Sequence, residues 1–179
     1  FDLVPSCQDL ISAEIEMTTV PAASLQLKNA LRSLEGSYDY AIIDCPPSLG
    51  ILTLNALRAS SKLIIPMQCE YYAMEGLVSL NKAINDINSK TGENIQISAI
   101  LRTMFDPRAR LTREVSEELK KYFPNELCST VIPRNIKLAE APSSGKPGLF
   151  YDPKAKGTVA YLALAGEVIS KFEKDSMVA

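Results

Sequence analysis

Histidine is absent from the 179 residues, and the four cysteines, Cys7, Cys45, Cys69 and Cys128, are scattered with no close pair. Histidine-based triads, the commonest metal ligand and the paired thiols that hold zinc or exchange disulfides are therefore excluded. The cysteines read as reduced, mostly buried small side chains. Chemistry must rest on carboxylates, lysine or arginine, hydroxyls or a bound metal, and the carboxylate best placed for it is Asp44. In the run Tyr38-Asp39-Tyr40-Ala41-Ile42-Ile43-Asp44-Cys45-Pro46-Pro47, four apolar residues from Tyr40 to Ile43 lead into that acid. Two prolines, which fix φ and lack a backbone donor, then stop the run. A continuous apolar run suggests a strand buried on both faces, as in a parallel sheet between helices. In such sheets ligands collect at the carboxyl ends of the strands. A strand-end Asp equally caps a following helix or turn, so this run alone leaves both readings open.

An acid after four apolar residues also matches the Walker B position, which holds Mg2+ in P-loop nucleotidases. Further segments follow in order: PMQCEYYAMEGL, LRTMFDPR and VIPRNIKLAEAPSSGKP. Together with IIDCPPS the series resembles the ParA/Soj family of deviant-Walker partition ATPases, relatives of the septum-placing MinD proteins, and the resemblance runs nearly end to end. It implies a P-loop NTPase-like α/β fold, a mostly parallel sheet flanked by helices on both faces, with residues 1–179 forming the larger, C-terminal part of one ATPase domain. It implies ATP and Mg2+ as cofactors, with Asp44 holding the metal through a water. By the same resemblance Thr103 and Met104, then Pro133, Arg134 and Asn135, flank the nucleotide base, and Glu70 and Tyr71 lie in a loop beside the nucleotide and across a dimer seam. Tyr72 is expected to pack against the following helix.

The family's phosphate loop, Lys-Gly-Gly-x-Gly-Lys-[Ser/Thr], has no match here. Ser144-Gly145-Lys146 is a decoy, because Glu140 stands where the pattern needs its first Gly and Pro147 where it needs Ser or Thr. Phosphoryl transfer depends on that loop, its lysine and Mg2+. The 179 residues alone are therefore expected to be unable to hydrolyse ATP and to be the larger part of a longer gene product. Phe1 to Pro5 reads as a strand already under way, and a sheet without the phosphate-loop strand would leave a neighbour unpaired.

The elements that position these residues alternate between strand and helix. Helices are expected from Ser6/Asp9 with Leu10, Ile11 and Ile15 on one side, after Pro21 with Gly36 as the stop, and over Ile51 to Leu57. A buried strand at Lys62 to Pro66 leads through a Glu70 to Tyr72 loop into a helix marked by Leu77, Leu80, Ile84 and Ile87, closed by a turn-rich segment at 88–94. Strand Ile95 to Leu101 precedes the Arg102 to Pro107 loop. Helix 111–123 is expected to turn Leu111, Val115, Leu119 and Tyr122 inward, and strand Leu127 to Ile132 follows. Residues 140–153 read as a surface loop. The last helix, from about Thr158, is expected to pack through Leu162, Ala165, Ile169 and Phe172.

A hydrophobic share of 46% suffices for one domain core. No stretch is long enough to span a bilayer and no signal-peptide pattern opens the chain, which suggests a cytoplasmic protein. The net charge of −2 conceals an asymmetry, −5 over residues 1–101 against +4 over 102–156. A basic half suggests a polyanion, and the resemblance names it as double-stranded DNA bound without sequence preference, which places the protein at the nucleoid. Candidate contacts are Lys120, Lys121, Arg134, Lys137, Lys146, Lys154, Lys156 and Lys171. The resemblance further implies an ATP-dependent homodimer and a ParB-type partner that stimulates hydrolysis, in chromosome or plasmid partition. Two alternatives stand beside it, a MinD-like septum-placement regulator and a degenerate module that binds without catalysis. The tail from Lys171 to Ala179 is short and weakly amphipathic, which argues against stable membrane association.

Overall fold

The computed structural model of the chain describes residues 1–17 and 19–176. They form two compact units, one from residues 1–63 with 88–95 and the other from residues 64–87 with 96–176. Residues 177–179 of the expected weakly amphipathic tail lie outside the described residues.

The first unit is helical. It holds α1 (Asp9–Met17), α2 (Gln26–Leu31) and α3 (Ile51–Ala59). Its organising residue is the buried Asn55. The amide of Asn55 donates to the carbonyls of Ala23 (2.8 Å) and Ile51 (2.9 Å), and its oxygen accepts from the Leu27 amide (3.1 Å). All of its polar groups are thus used, as burial requires. Arg58 grips both oxygens of Glu93 at 3.0 and 2.9 Å and also donates to Ser24, tying α3 to residues 88–95.

The run ending at Asp44 corrects the expectation of a buried strand. Residues 38–46 form no strand, and Ile42 is 94% exposed. The local sequence favours extension, but no strand of this unit offers the run a ladder among the described residues, so its apolar side chains meet solvent. Phe1 to Pro5 likewise forms no strand, with Phe1, Leu3 and Val4 exposed. Helix α1 buries none of its residues, so Leu10, Ile11 and Ile15 are not packed inward. Cys7 and Cys45 are exposed, against the expectation of mostly buried thiols.

The second unit holds the sheet, ordered β1 (Leu63–Gln68), β2 (Ile97–Phe105) and β3 (Leu127–Pro133). Strands β2 and β3 pair in parallel. The period of two along β2 divides its side chains between two cores. Ile100 faces Met67, Leu77, Val115 and Leu119, beneath α4 (Tyr71–Thr91) and α5 (Arg110–Tyr122). Ala99 and Leu101 face Cys128 and Ile132, covered by Ala160, Leu164 and Phe172 of α8 (Lys156–Ser176). Helices therefore cover both faces of the sheet, as expected of this α/β class. Between β3 and α8 lie α6 (Ile136–Glu140), a 3-10 turn at Ala141–Ser144 and α7 (Gly148–Tyr151).

Several local expectations are corrected. Strand β2 runs on through Thr103 and Met104, against the expected loop, and α4 begins at Tyr71 and reaches Thr91, so Tyr71 and Tyr72 are helical and 88–94 is only partly a turn. Tyr72 is exposed and packs edge-on against Tyr71. Segment 140–153 is wound into short helices. Strand β1 lies at an edge of the described sheet and leaves Ile64 partly exposed, so it is not buried on both faces. On α5, Val115 and Leu119 are buried while Leu111 and Tyr122 are exposed. On α8, Leu162, Ala165 and Ile169 point outward, and of the four residues expected inside only Phe172 packs inward. The decoy Gly145 closes the 3-10 turn at φ +61°, a left-handed conformation that suits glycine, and its amide bonds to the carbonyls of Ala141 and Pro142.

Candidate nucleotide and polyanion sites

Asp44 is exposed, and no hydrogen bond to its carboxylate is found among the described residues. The next residue, Cys45, has its thiol pushed up by burial and by the Asp44 charge. The loop beyond is anchored to α3, where the Thr53 hydroxyl donates to the Ser48 carbonyl at 2.6 Å. No group of three potential metal ligands exists among the described residues. A lone exposed carboxylate is a donor set compatible only with a metal held mainly by water and phosphate oxygens.

In the second unit the carboxyl ends of the strands carry the other candidates. The Thr103 hydroxyl donates to the Met67 carbonyl at 3.2 Å, tying β2 to β1. An open cleft of about 440 Å3 lies beside it, lined by Gln68, Glu70, Ala73, Gly76 and Leu77 among others. Tyr71 borders α4's first turn, and its hydroxyl is raised by a hydrogen bond to Glu75 and by that carboxylate's charge. Met104 adopts φ +50° and is 48% exposed, at a register shift between Arg102 and Phe105. A left-handed non-glycine residue in a strand-end bulge is strained, and such strain gathers at ligand sites. At the end of β3, Arg134 is exposed, while the Asn135 side chain accepts from the Leu138 amide at 3.2 Å and so caps α6. Pro133 closes β3 opposite Phe105.

The basic candidates divide by partner. Lys120, Lys121 and Lys137 are engaged with Glu117, Glu118 and Glu140 at 2.7, 2.5 and 2.9 Å, and Lys171 donates to the Asn125 carbonyl at 2.7 Å. The side chains of Arg134, Lys146, Lys154 and Lys156 have no ion pair among the described residues. Near these residues in the chain, Leu138 packs against two glycines. A Cβ on Gly148 would stand 2.8 Å from Leu138 Cδ2, and one on Gly157 would stand 2.7 Å from Leu138 Cγ and 3.0 Å from Asn135 Cβ. Gly157→Ala should cost about 1–3 kcal/mol by overpacking, more than the roughly 0.5–1 kcal/mol gained from helix propensity. A denaturation midpoint unchanged or raised in this variant would contradict the packing.

Two residues were missed in the sequence, Arg102 within β2 and Glu167 within α8. Arg102 is 7% exposed and its guanidinium donates to the Ser116 hydroxyl and to the Cys128 carbonyl, both at 2.7 Å. Glu167 of α8 accepts from the amides of Ser129 (2.6 Å) and Thr130 (2.8 Å). Burial pushes the Glu167 carboxyl up, but hydrogen bonds from Thr130 and Ser129 and the Lys171 charge outweigh it and hold the group below the usual range. No periodicity marked either residue: Arg102 stands at the start of the expected loop, and a lone Glu in a helix reads as surface charge.

The α/β sheet with helices on both faces defines a P-loop NTPase-type fold, and solved structures agree. Cobyrinic acid a,c-diamide synthase from Mycobacterium smegmatis, solved with bound ADP and magnesium, superposes with a TM-score of 0.74 at 31% identity, covering 92% of this chain and 60% of that one. The cell division ATPase MinD of Pyrococcus furiosus has a TM-score of 0.66 over 82% of this chain and 58% of its own, at 19% identity, which bears on fold alone. A family model described as an AAA domain matches residues 1–97. The sporulation initiation inhibitor protein Soj of Bacillus subtilis (strain 168) is 48% identical over 93% of this chain and 66% of its own length. The chromosome-partitioning ATPase Soj of Thermus thermophilus is 40% identical over 97% and 68%. The chain belongs to the ParA/Soj family of partition ATPases, and it spans about two thirds of the length of these relatives.

Proposed function

We propose that this chain, in its full-length form, is an Mg2+-dependent ATPase of chromosome or plasmid partition. The observation that carries the reading is that similarity to partition ATPases extends over 93% or more of the chain, through Asp44 as well as the strand ends of the second unit. In this reading Asp44 holds Mg2+ through a water, and the metal neutralises phosphate charge. Thr103, Met104, Pro133, Arg134 and Asn135 border the base, with Glu70 and Tyr71 beside the nucleotide and a homodimer seam. ATP selects the dimer, the dimer binds double-stranded DNA at the nucleoid without sequence preference, and a ParB-type protein stimulates hydrolysis to release it, a switch driven by differential affinity for two states. No helix among the described residues is long and apolar enough to cross a membrane.

DNA binding tests this reading. With ATP and Mg2+ present, affinity of the full-length protein for unrelated duplexes should fall linearly with salt on logarithmic axes, with a slope of about −0.9 per neutralised phosphate. Replacing Arg134, Lys146, Lys154 and Lys156 together by Ala should flatten that slope by roughly 2–4. Replacing Lys120 and Lys121 should change it by less than about 1, because their charges are already answered by Glu117 and Glu118. ATP-independent binding, or a slope indifferent to the four-residue change, would remove DNA from the proposal.

A further inference from the structure

Strand β3 departs from regular pairing with β2 in its first half. Ile100 pairs with Leu127 and Arg102 with Val131, so two steps on β2 are matched by four on β3. The extra residues hold two successive peptide units that point the same way. The carbonyls of Cys128 and Ser129 both accept from Arg102 Nη2, at 2.7 and 3.4 Å, while the amides of Ser129 and Thr130 donate to the two Glu167 oxygens at 2.6 and 2.8 Å. In a regular strand successive peptides alternate in direction. Here their dipoles line up between a cation and an anion.

The arrangement is costly by itself. Arg102 is buried and, among the described residues, no carboxylate pairs with it and its Nε has no partner. A guanidinium removed from water without a contacting counter-ion is penalised heavily unless aligned dipoles and acceptors replace the solvent. Two carbonyls, the Ser116 hydroxyl and the Phe105 ring, 5.7 Å from the guanidinium carbon, take that role. Phe105 is also the residue that pairs with Pro133, beyond the strained Met104. The clamp therefore reaches the ends of both strands.

We propose that Arg102 and Glu167 are positioning residues for nucleotide binding: gripping the peptides of residues 128–130 from opposite sides, they fix where Met104 on one strand and Pro133 to Asn135 on the next meet the base. This rests on the nucleotide reading given above. An apolar pair would close a regular strand at no electrostatic cost, but it would advance β3 by two residues and carry the Pro133 segment away from its present place. Neither side chain touches the base-side residues through a hydrogen bond, so their effect is exerted through the bulge.

The test uses the full-length chain and a fluorescent ATP analogue with Mg2+, well below the melting temperature. R102M and E167Q should each weaken binding about tenfold, and the double variant should lose no more than about threefold beyond the weaker single, since either change releases the same bulge. R102K, which keeps one donor, should retain intermediate affinity and guards against loss of folding in R102M. Ile84→Ala, a buried change on α4 away from these strand ends, should lower stability and leave affinity unchanged. Native-state exchange of the Ser129 and Thr130 amides should be slow in the unaltered protein and fast in E167Q. Unaltered affinity in both single variants, or losses that multiply, would overturn the positioning role. An unaltered protein that protects these amides yet binds no ATP analogue would instead overturn the nucleotide reading, and the positioning role with it.

Discussion

Asp44→Asn in the full-length protein should reduce Mg2+-dependent ATP hydrolysis by at least about 100-fold, the scale on which removal of one preorganised charge-stabilising group acts. The same variant should melt within about 2 °C of the parent, because surface substitutions away from packing or hydrogen-bond networks stay within about 0.5 kcal/mol. The pairing of these outcomes follows from the environment of this carboxylate. Asp44 is exposed and accepts no hydrogen bond among the described residues, whereas the nearby loop is held by Thr53 and Ser48. An acid with an architectural role would show the reverse pattern, a lowered melting temperature with hydrolysis preserved in the folded fraction. The measurement is a steady-state phosphate-release assay beside a thermal melt. Hydrolysis at the parental rate would remove Asp44 from the metal site.

The contrast between local pattern and tertiary context explains what the sequence could and could not reveal. Strands β2 and β3 and helices α4 and α5 were legible because their apolar residues recur at the strand or helix period and the buried ones meet partners within the second unit. Asp44 stood out chemically for the opposite reason, as a carboxylate terminating an apolar run. The strand expected to carry it did not form, because extension is a local preference whereas a strand exists only in a ladder. Helix α8 defeated periodicity because it is apolar on two sides, with Ala160, Leu164 and Phe172 on one and Val159, Leu162 and Ile169 on the other. Only the identity of the covering surface decides which set is inside. The Thr103 to Phe105 segment has the composition of a loop because its residues change character at the strand end, yet the strand continues through a strained bulge. The Arg102 and Glu167 clamp was invisible for a deeper reason. Its partners are backbone groups, which carry no sequence signature.

Leu119→Ala should be the most damaging single truncation in the second unit, costing about 3 kcal/mol within the 2–5 kcal/mol range for fully buried aliphatic side chains. Leu119 is 0% exposed and sits between Ile100 on the sheet and Val115 and Leu77 on the helices, so its loss leaves a void bounded by both layers. The cost has two parts, the transfer free energy of the deleted atoms and the contacts forfeited by a lining that cannot collapse against a hydrogen-bonded strand. Leu111→Ala on the same helix provides the control. Sequence spacing gives it the same inward role, but it is 48% exposed, and its truncation should cost no more than about 0.5 kcal/mol. Urea titrations of both variants in the full-length protein, read as midpoint shifts at constant slope, separate the two outcomes. Equal shifts would mean that α5 turns a different face to the sheet, and the placement of Ser116 against Arg102 would have to be abandoned with it.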